Sequence, residues 1–166
     1  MDKNCLIVIP ARYNSQRFPG KVLAKIRGKA VLQWCYEAAL KSGLGPVLIA
    51  TEDRRVMEFA GSIGAKAVLT SAKCKSGTDR VYEAARASGK RFIVNFQGDE
   101  PFMRSGTLLA AFRKIREGFD IATAGAPITR ESEISDPNCV KIAMSRSGRA
   151  LYFSRSPIPF HHPLSD

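Results

Sequence analysis

The residues with the clearest chemistry stand in Pro10-Ala11-Arg12-Tyr13-Asn14-Ser15-Gln16-Arg17-Phe18-Pro19-Gly20-Lys21. Arginine contacts phosphate oxygens in bidentate fashion, and lysine acts as a point charge. Arg12, Arg17 and Lys21 share one Gly/Pro-punctuated loop with the Ser15 hydroxyl. That combination suits a triphosphate; a solvated basic loop is the other reading. The loop contains neither G-x-x-x-x-G-K-[ST] nor G-x-G-x-x-G, so it is not a P-loop or a dinucleotide fingerprint.

A second stretch is Phe96-Gln97-Gly98-Asp99-Glu100-Pro101. Gly98 permits close approach of backbone or ligand. Asp99 is placed to hold Mg2+, which takes one or two carboxylates plus substrate phosphates. An acidic turn ahead of a helix is the competing reading. In the third stretch, Lys75-Ser76-Gly77-Thr78-Asp79-Arg80, Thr78 reads as a helix N-cap. Ser76, Gly77 and Arg80 can also face an anion or a base edge, as helix N-termini do. Three weaker candidates carry little. His161-His162 lacks metal-ligand spacing, Trp34 reads as core or interface, and Ser15 has no His/Asp partner for hydrolase chemistry.

These loops need elements to position them. Cys5 to Ile9 is a continuous apolar run stopped by Pro10, the pattern of a strand buried on both faces. Val31, Leu32, Cys35 and Ala39 then repeat at helical spacing, ended by Ser42-Gly43. Strands at 47–50, 67–69, 92–96 and 121–124 alternate with helices over 56–63, 78–87 and 108–115. This alternation predicts a three-layer α/β/α fold with a mostly parallel, Rossmann-like sheet. After Pro127 the texture changes: 140–144 and 150–154 read as a C-terminal β-hairpin. In open parallel sheets the ligand crevice lies beyond the carboxyl ends of the strands. That rule selects the loops after Ile9, Ala50, Leu69 and Phe96.

The length of 166 residues predicts one domain. Lys and Arg number 26 against 15 Asp and Glu, a net charge of +11. Such a charge raises nucleic acid as a partner. Seven of the basic residues lie within 1–30 against Asp2 alone, and no basic surface is interleaved with aromatics. The expectation is therefore no nucleic acid and no membrane. Apolar runs are too short to cross a bilayer or to form a signal peptide. Four dispersed cysteines, with no CxxC pair, fit cytoplasmic free thiols.

Five segments together carry a resemblance: IPARYNSQRFPGK at 9–21, SGTDR at 76–80, NFQGDEP at 95–101, DPNCVK at 136–141 and GRALYFSRSPIP at 148–159. In this order they resemble the 3-deoxy-manno-octulosonate cytidylyltransferase (CMP-Kdo synthetase) family of the nucleotidyltransferase superfamily. The resemblance spans essentially the whole chain. It implies a nucleotide-diphospho-sugar transferase type of fold and a Mg2+-dependent transfer of CMP from CTP to Kdo, in a homodimer serving lipopolysaccharide biosynthesis. It implies that Arg12, Ser15, Arg17 and Lys21 hold the triphosphate. Ser76, Gly77, Thr78, Arg80 and Gln97 would frame cytosine and ribose, and Arg155 would meet the sugar carboxylate. Arg12, Lys21 and Asp99 would be catalytic, with Asp99 also the metal ligand. On the same resemblance residues 1–166 are an incomplete nucleotidyltransferase domain. A second metal-binding Asp would lie beyond Asp166, and the short chain would be inactive without it. A CMP-sialate or other sugar nucleotidyltransferase is the sibling reading, and a non-catalytic basic remnant is the reading from another class.

Overall fold

A computed structural model describes residues 2–14 and 18–160. Strand β1 (Cys5–Pro10) is buried along its whole length. A single 3-10 turn at Lys21–Leu23 follows the first loop. Strands β2 (Lys25–Ile26) and β3 (Lys29–Ala30) then form a minimal antiparallel hairpin. Its two turn residues, Arg27 and Gly28, have φ of 51° and 80°. Paired left-handed residues match the twist of a two-residue hairpin.

Helix α1 (Val31–Ser42) ends on Gly43 at φ 62°, as a glycine C-cap should. Strand β4 (Val47–Thr51), helix α2 (Arg54–Ser62) and strand β5 (Lys66–Leu69) follow. Then come helix α3 (Gly77–Ala85), strand β6 (Phe92–Asn95) and helix α4 (Ser105–Arg116). The sheet order is β5-β4-β1-β6, all parallel. The chain therefore runs outward from β1 through β4 to β5, then returns to the other side of β1 as β6. That reversal makes a topological switch point between β1 and β6.

Both faces of the sheet are covered. Cys5, Ile7 and Ile9 pack with Leu32 and Cys35 of α1, Val56 of α2 and Leu108 of α4. Leu6 and Val8 pack with Ala50 against Val81 and Ala85 of α3. Successive residues of β1 thus feed two cores, which is why the run has no polar alternation. Each such Ile, Leu or Val side chain contributes roughly 1.5–3 kcal/mol on burial.

Two expectations are corrected. Residues 121–124 form no strand. Among them only Ile121 is large, and it remains 86% exposed. Pairing there would bury too little apolar surface to offset the ordering of the backbone. The N-cap of α3 is Ser76, not Thr78. Ser76 Oγ accepts from Asp79 N–H at 3.0 Å while Asp79 Oδ2 accepts from Ser76 N–H at 2.8 Å. This reciprocal capping box satisfies two backbone donors, and Thr78 in that place could not form it with Asp79.

The chain divides into two compact units, Met1–Ala122 and Thr123–Asp166. The second contains the short helix α5 (Ser132–Ser135) and an antiparallel hairpin of β7 (Lys141–Met144) and β8 (Ala150–Ser154). Lys141 is buried, and its Nζ donates to the carbonyls of Asp136, Cys139 and Arg155 at 2.7, 2.8 and 2.9 Å. Three acceptors meet the full donor capacity of an ammonium. No helix among the described residues is long and apolar enough to cross a membrane.

Candidate functional site

The crevice at the carboxyl ends of β1 and β6 is built by the first two motifs. After β6, Phe96 is buried and the chain turns at Gly98 directly over the end of β1. A Cβ at Gly98 would lie 2.8 Å from the Pro10 carbonyl oxygen and 3.3 Å from Ile9 Cγ2. Only glycine fits this approach. It brings Asp99 beside the start of the 3-10 turn, where Lys21 Nζ pairs with Asp99 Oδ2 at 2.5 Å. Both side chains remain about 40% exposed, at 39% and 40%, so the pair faces solvent and is open to exchange for a ligand. Glu100 is an exposed residue, yet partial desolvation of its carboxyl, with the adjacent Asp99 charge, holds its pKa above the ordinary value.

The first loop is held at both ends. Ala11 N–H donates to the Ala50 carbonyl at 2.8 Å, and Gly20 N–H to the Tyr13 carbonyl at 2.7 Å. Gly20 has φ 72°, and a Cβ there would touch the Tyr13 ring at 3.3 Å. Arg55 stacks on the other side of the loop, 3.4 Å from the Tyr13 ring centroid. Asp53 accepts from Arg55 Nε at 2.9 Å and Nη2 at 2.6 Å, and those bonds pull the Asp53 pKa down. Ser15 and Arg17 lie outside the described residues.

Arg12 reaches across the end of β4, and its Nη2 donates to the Cys74 carbonyl at 2.9 Å. Its Nε is buried with no partner among the described residues. The α3 N-terminus joins the same crevice. Gly77 lies against Gln97, with a notional Cβ 3.3 Å from Gln97 Oε1 and 3.5 Å from Pro10 Cγ. Gln97 Nε2 donates to Asn95 Oδ1 at 2.9 Å, and Asn95 Nδ2 to Thr78 Oγ1 at 3.4 Å. Lys21, Asp99, Gln97, Gly77 and Thr78 are therefore brought together around the switch point, while Arg12 turns to the other side of β1, toward the segment after β5.

Of two further expected residues, one is buried and the other belongs to the second unit. Arg80 is 1% exposed. Its guanidinium donates to Thr70 Oγ1, and its Nη2 lies 2.7 Å from Glu52 Oε2. That contact is Coulombic, since neither Glu52 Oε2 nor Arg80 Nε has an aligned hydrogen bond. Arg80 thus ties the ends of β4 and β5 to α3 and has its charge committed to the protein. Arg155 lies in the second unit, where its Nη1 donates to the Pro137 carbonyl at 2.7 Å. Glu52, Thr70 and the Cys74 carbonyl escape motif reading, and Asn95 stands in a recognised segment without a role assigned to it. Glu52 and Thr70 do follow strand ends, the one positional signal that could have marked them.

A family model described as "Cytidylyltransferase" matches residues 6–163. The chain belongs to the cytidylyltransferase family. It is 43% identical over 163 residues to the 3-deoxy-manno-octulosonate cytidylyltransferase of Elusimicrobium minutum (strain Pei191), covering 97% of this chain and 66% of the relative. It is 49% identical over 159 residues to the enzyme of the same name from Synechococcus elongatus, covering 93% and 65%. This cytidylyltransferase chain thus spans just under two thirds of those relatives. A solved CMP:2-keto-3-deoxy-manno-octonic acid synthetase, complexed with CTP, superposes with a TM-score of 0.85 at 37% identity, over 99% of this chain and 68% of that one.

Asp99 offers a half-exposed carboxylate oxygen beside a cationic lysine. No cluster of three His, Cys, Asp or Glu ligands exists among the described residues.

Proposed function

We propose that this chain provides the nucleotide-binding part of a CMP-Kdo synthetase, both units belonging to one nucleotidyltransferase domain. In the proposed reaction the anomeric hydroxyl oxygen of Kdo bonds to the α-phosphorus of CTP. The bond from that phosphorus to the bridging oxygen breaks, and pyrophosphate leaves. Negative charge builds on phosphate oxygens, so the protein must mainly position reactants and stabilise charge. Lys21 and Arg12 hold the β- and γ-phosphates. Gly77, Thr78 and Gln97 line the nucleoside side, where the missing Cβ of Gly77 lets the Gln97 amide lie close against α3. Ser15, Arg17 and Ser76 support the same nucleotide, and Arg155 meets the acidic sugar. Asp99 and the phosphates would hold Mg2+, which when bound neutralises charge on the phosphoryl oxygens.

The Lys21–Asp99 pair at the switch point carries this reading. It holds a lysine ammonium and a carboxylate within one contact, which supports a phosphate and a metal ion meeting there. The relatives' names supply the acceptor. We infer that the protein works in the cytoplasm as a homodimer. The test is pyrophosphate release from CTP, Kdo and Mg2+, on the chain and on a form extended to the relatives' length. Release should require Kdo in the extended form, and Asp99→Asn should lower kcat/KM by roughly 10²–10³-fold. Release independent of Kdo would sink the reading.

A second acceptor has specific support. The chain is 41% identical to an 8-amino-3,8-dideoxy-manno-octulosonate cytidylyltransferase of Shewanella piezotolerans (strain WP3 / JCM 13877), over 98% of this chain and 69% of the relative. Competing the 8-amino and 8-hydroxy sugars in one assay separates the two.

A further inference from the structure

We propose that Glu83 is a positioning residue for the triphosphate arm: it clamps the 71–74 turn so that the Cys74 carbonyl orients the Arg12 guanidinium. This rests on the reading of Arg12 as a phosphate ligand. The turn is closed by Cys74 N–H donating to the Ser71 carbonyl at 3.3 Å and Lys73 N–H to Ser71 Oγ at 3.0 Å. Both oxygens of Glu83, on α3, grip its two ends. Oε1 accepts from Ser71 N–H at 2.8 Å, and Oε2 accepts from the Cys74 thiol at 3.1 Å. Arg80, one helical turn earlier on the same face of α3, donates to Thr70 Oγ1. The helix thus fixes three residues of one short connection. That connection delivers the carbonyl that receives Arg12 Nη2 at 2.9 Å.

The protonation states suit the clamp. Burial, reinforced by the Glu83 hydrogen bond and charge, raises the Cys74 pKa, so the thiol stays a donor. The bonds from Cys74 and Ser71 lower the Glu83 pKa, so the carboxylate stays an acceptor. Among the described residues, Arg12 has one nitrogen held and its buried Nε unpartnered. Its aim therefore depends on the one carbonyl that the clamp sets.

Titration calorimetry with CTP and Mg2+ tests the chain of contacts. Glu83→Ala and Cys74→Ala should each weaken CTP binding roughly five- to tenfold, the scale of one ordinary hydrogen bond. Cys74→Ser, which keeps a donor for Glu83, should stay within about twofold of the parent. In an Arg12→Ala background, Glu83→Ala should have no further effect, because its action passes through Arg12. The same loss in both backgrounds overturns the proposal, as does no loss from Glu83→Ala while Arg12→Ala still weakens binding. If Glu83→Ala does not fold, the Cys74→Ala and Cys74→Ser pair decides, and equal affinities overturn it. Unchanged affinity in Arg12→Ala, or no CTP binding by the parent, instead overturns the nucleotide reading on which the proposal stands.

Discussion

At residue scale, Gly98 shows how one missing methyl group sets a site. Its backbone rests where a Cβ would press on the Pro10 carbonyl. Gly98→Ala should destabilise the protein by about 1–3 kcal/mol, the usual cost of overpacking. It should also push Asp99 away from Lys21 and weaken CTP binding; a melting curve and a titration check the two effects. Cysteine chemistry is set equally locally. Burial, with the Asp2 charge adding, pushes Cys5 up to about 11. Burial pushes Cys35 up to about 12, with the charges of Asp99 and Glu100 contributing. Iodoacetamide at pH 8 should leave both unmodified in the native protein and label both after denaturation, read by peptide mass spectrometry.

At element scale, the α3 N-terminus joins stability to the site. Ser76→Ala removes the side-chain half of the capping box and should cost about 1 kcal/mol. It should also loosen Gly77 and Thr78 beside Gln97, detectable as faster amide exchange through the first turn. The tie behind the crevice is stronger. Glu52→Ala leaves the Arg80 guanidinium buried without its counter-charge. A loss of about 3–5 kcal/mol is expected, measured by denaturant unfolding. A motif reading put Arg80 at the nucleotide because sequence shows neighbours along the chain only. Its partners Thr70 and Glu52 arrive from two other strand ends. The misplaced cap has a different cause. Ser76 and Thr78 are both good caps by type, and the reciprocal bond with Asp79 decides between them.

At the scale of the whole molecule, charge governs the response to acid. Hydrogen bonds and nearby cations lower the pKa values of Glu37, Asp53, Asp79, Glu83 and Glu133. A carboxylate with a folded pKa below its unfolded one stabilises the fold fully above the unfolded value. That contribution is lost as pH falls through the folded value. Glu100 has the opposite sign, since its raised pKa favours the fold at low pH and not above. Five groups against one predict a melting temperature that is flat near neutrality and drops steeply below roughly pH 4. The net charge of +11 adds self-repulsion as carboxylates protonate, so added salt should soften the drop.

Sequence alone determined the alternation of strands and helices, because burial on two faces leaves an unbroken apolar run such as 5–9, and helical spacing marks the covering layers. It also marked which side chains have the chemistry to meet a phosphate, since residue type is local information. Strand order is not local. Placing β6 beside β1 was a tertiary outcome, and it alone brought Asp99 within 2.5 Å of Lys21 across nearly eighty residues of chain. The same holds for 121–124, whose single large apolar side chain, Ile121, meets no partner strand among the described residues. Pairing, burial and charge partners depend on what else reaches a point in space, and only the folded chain decides that.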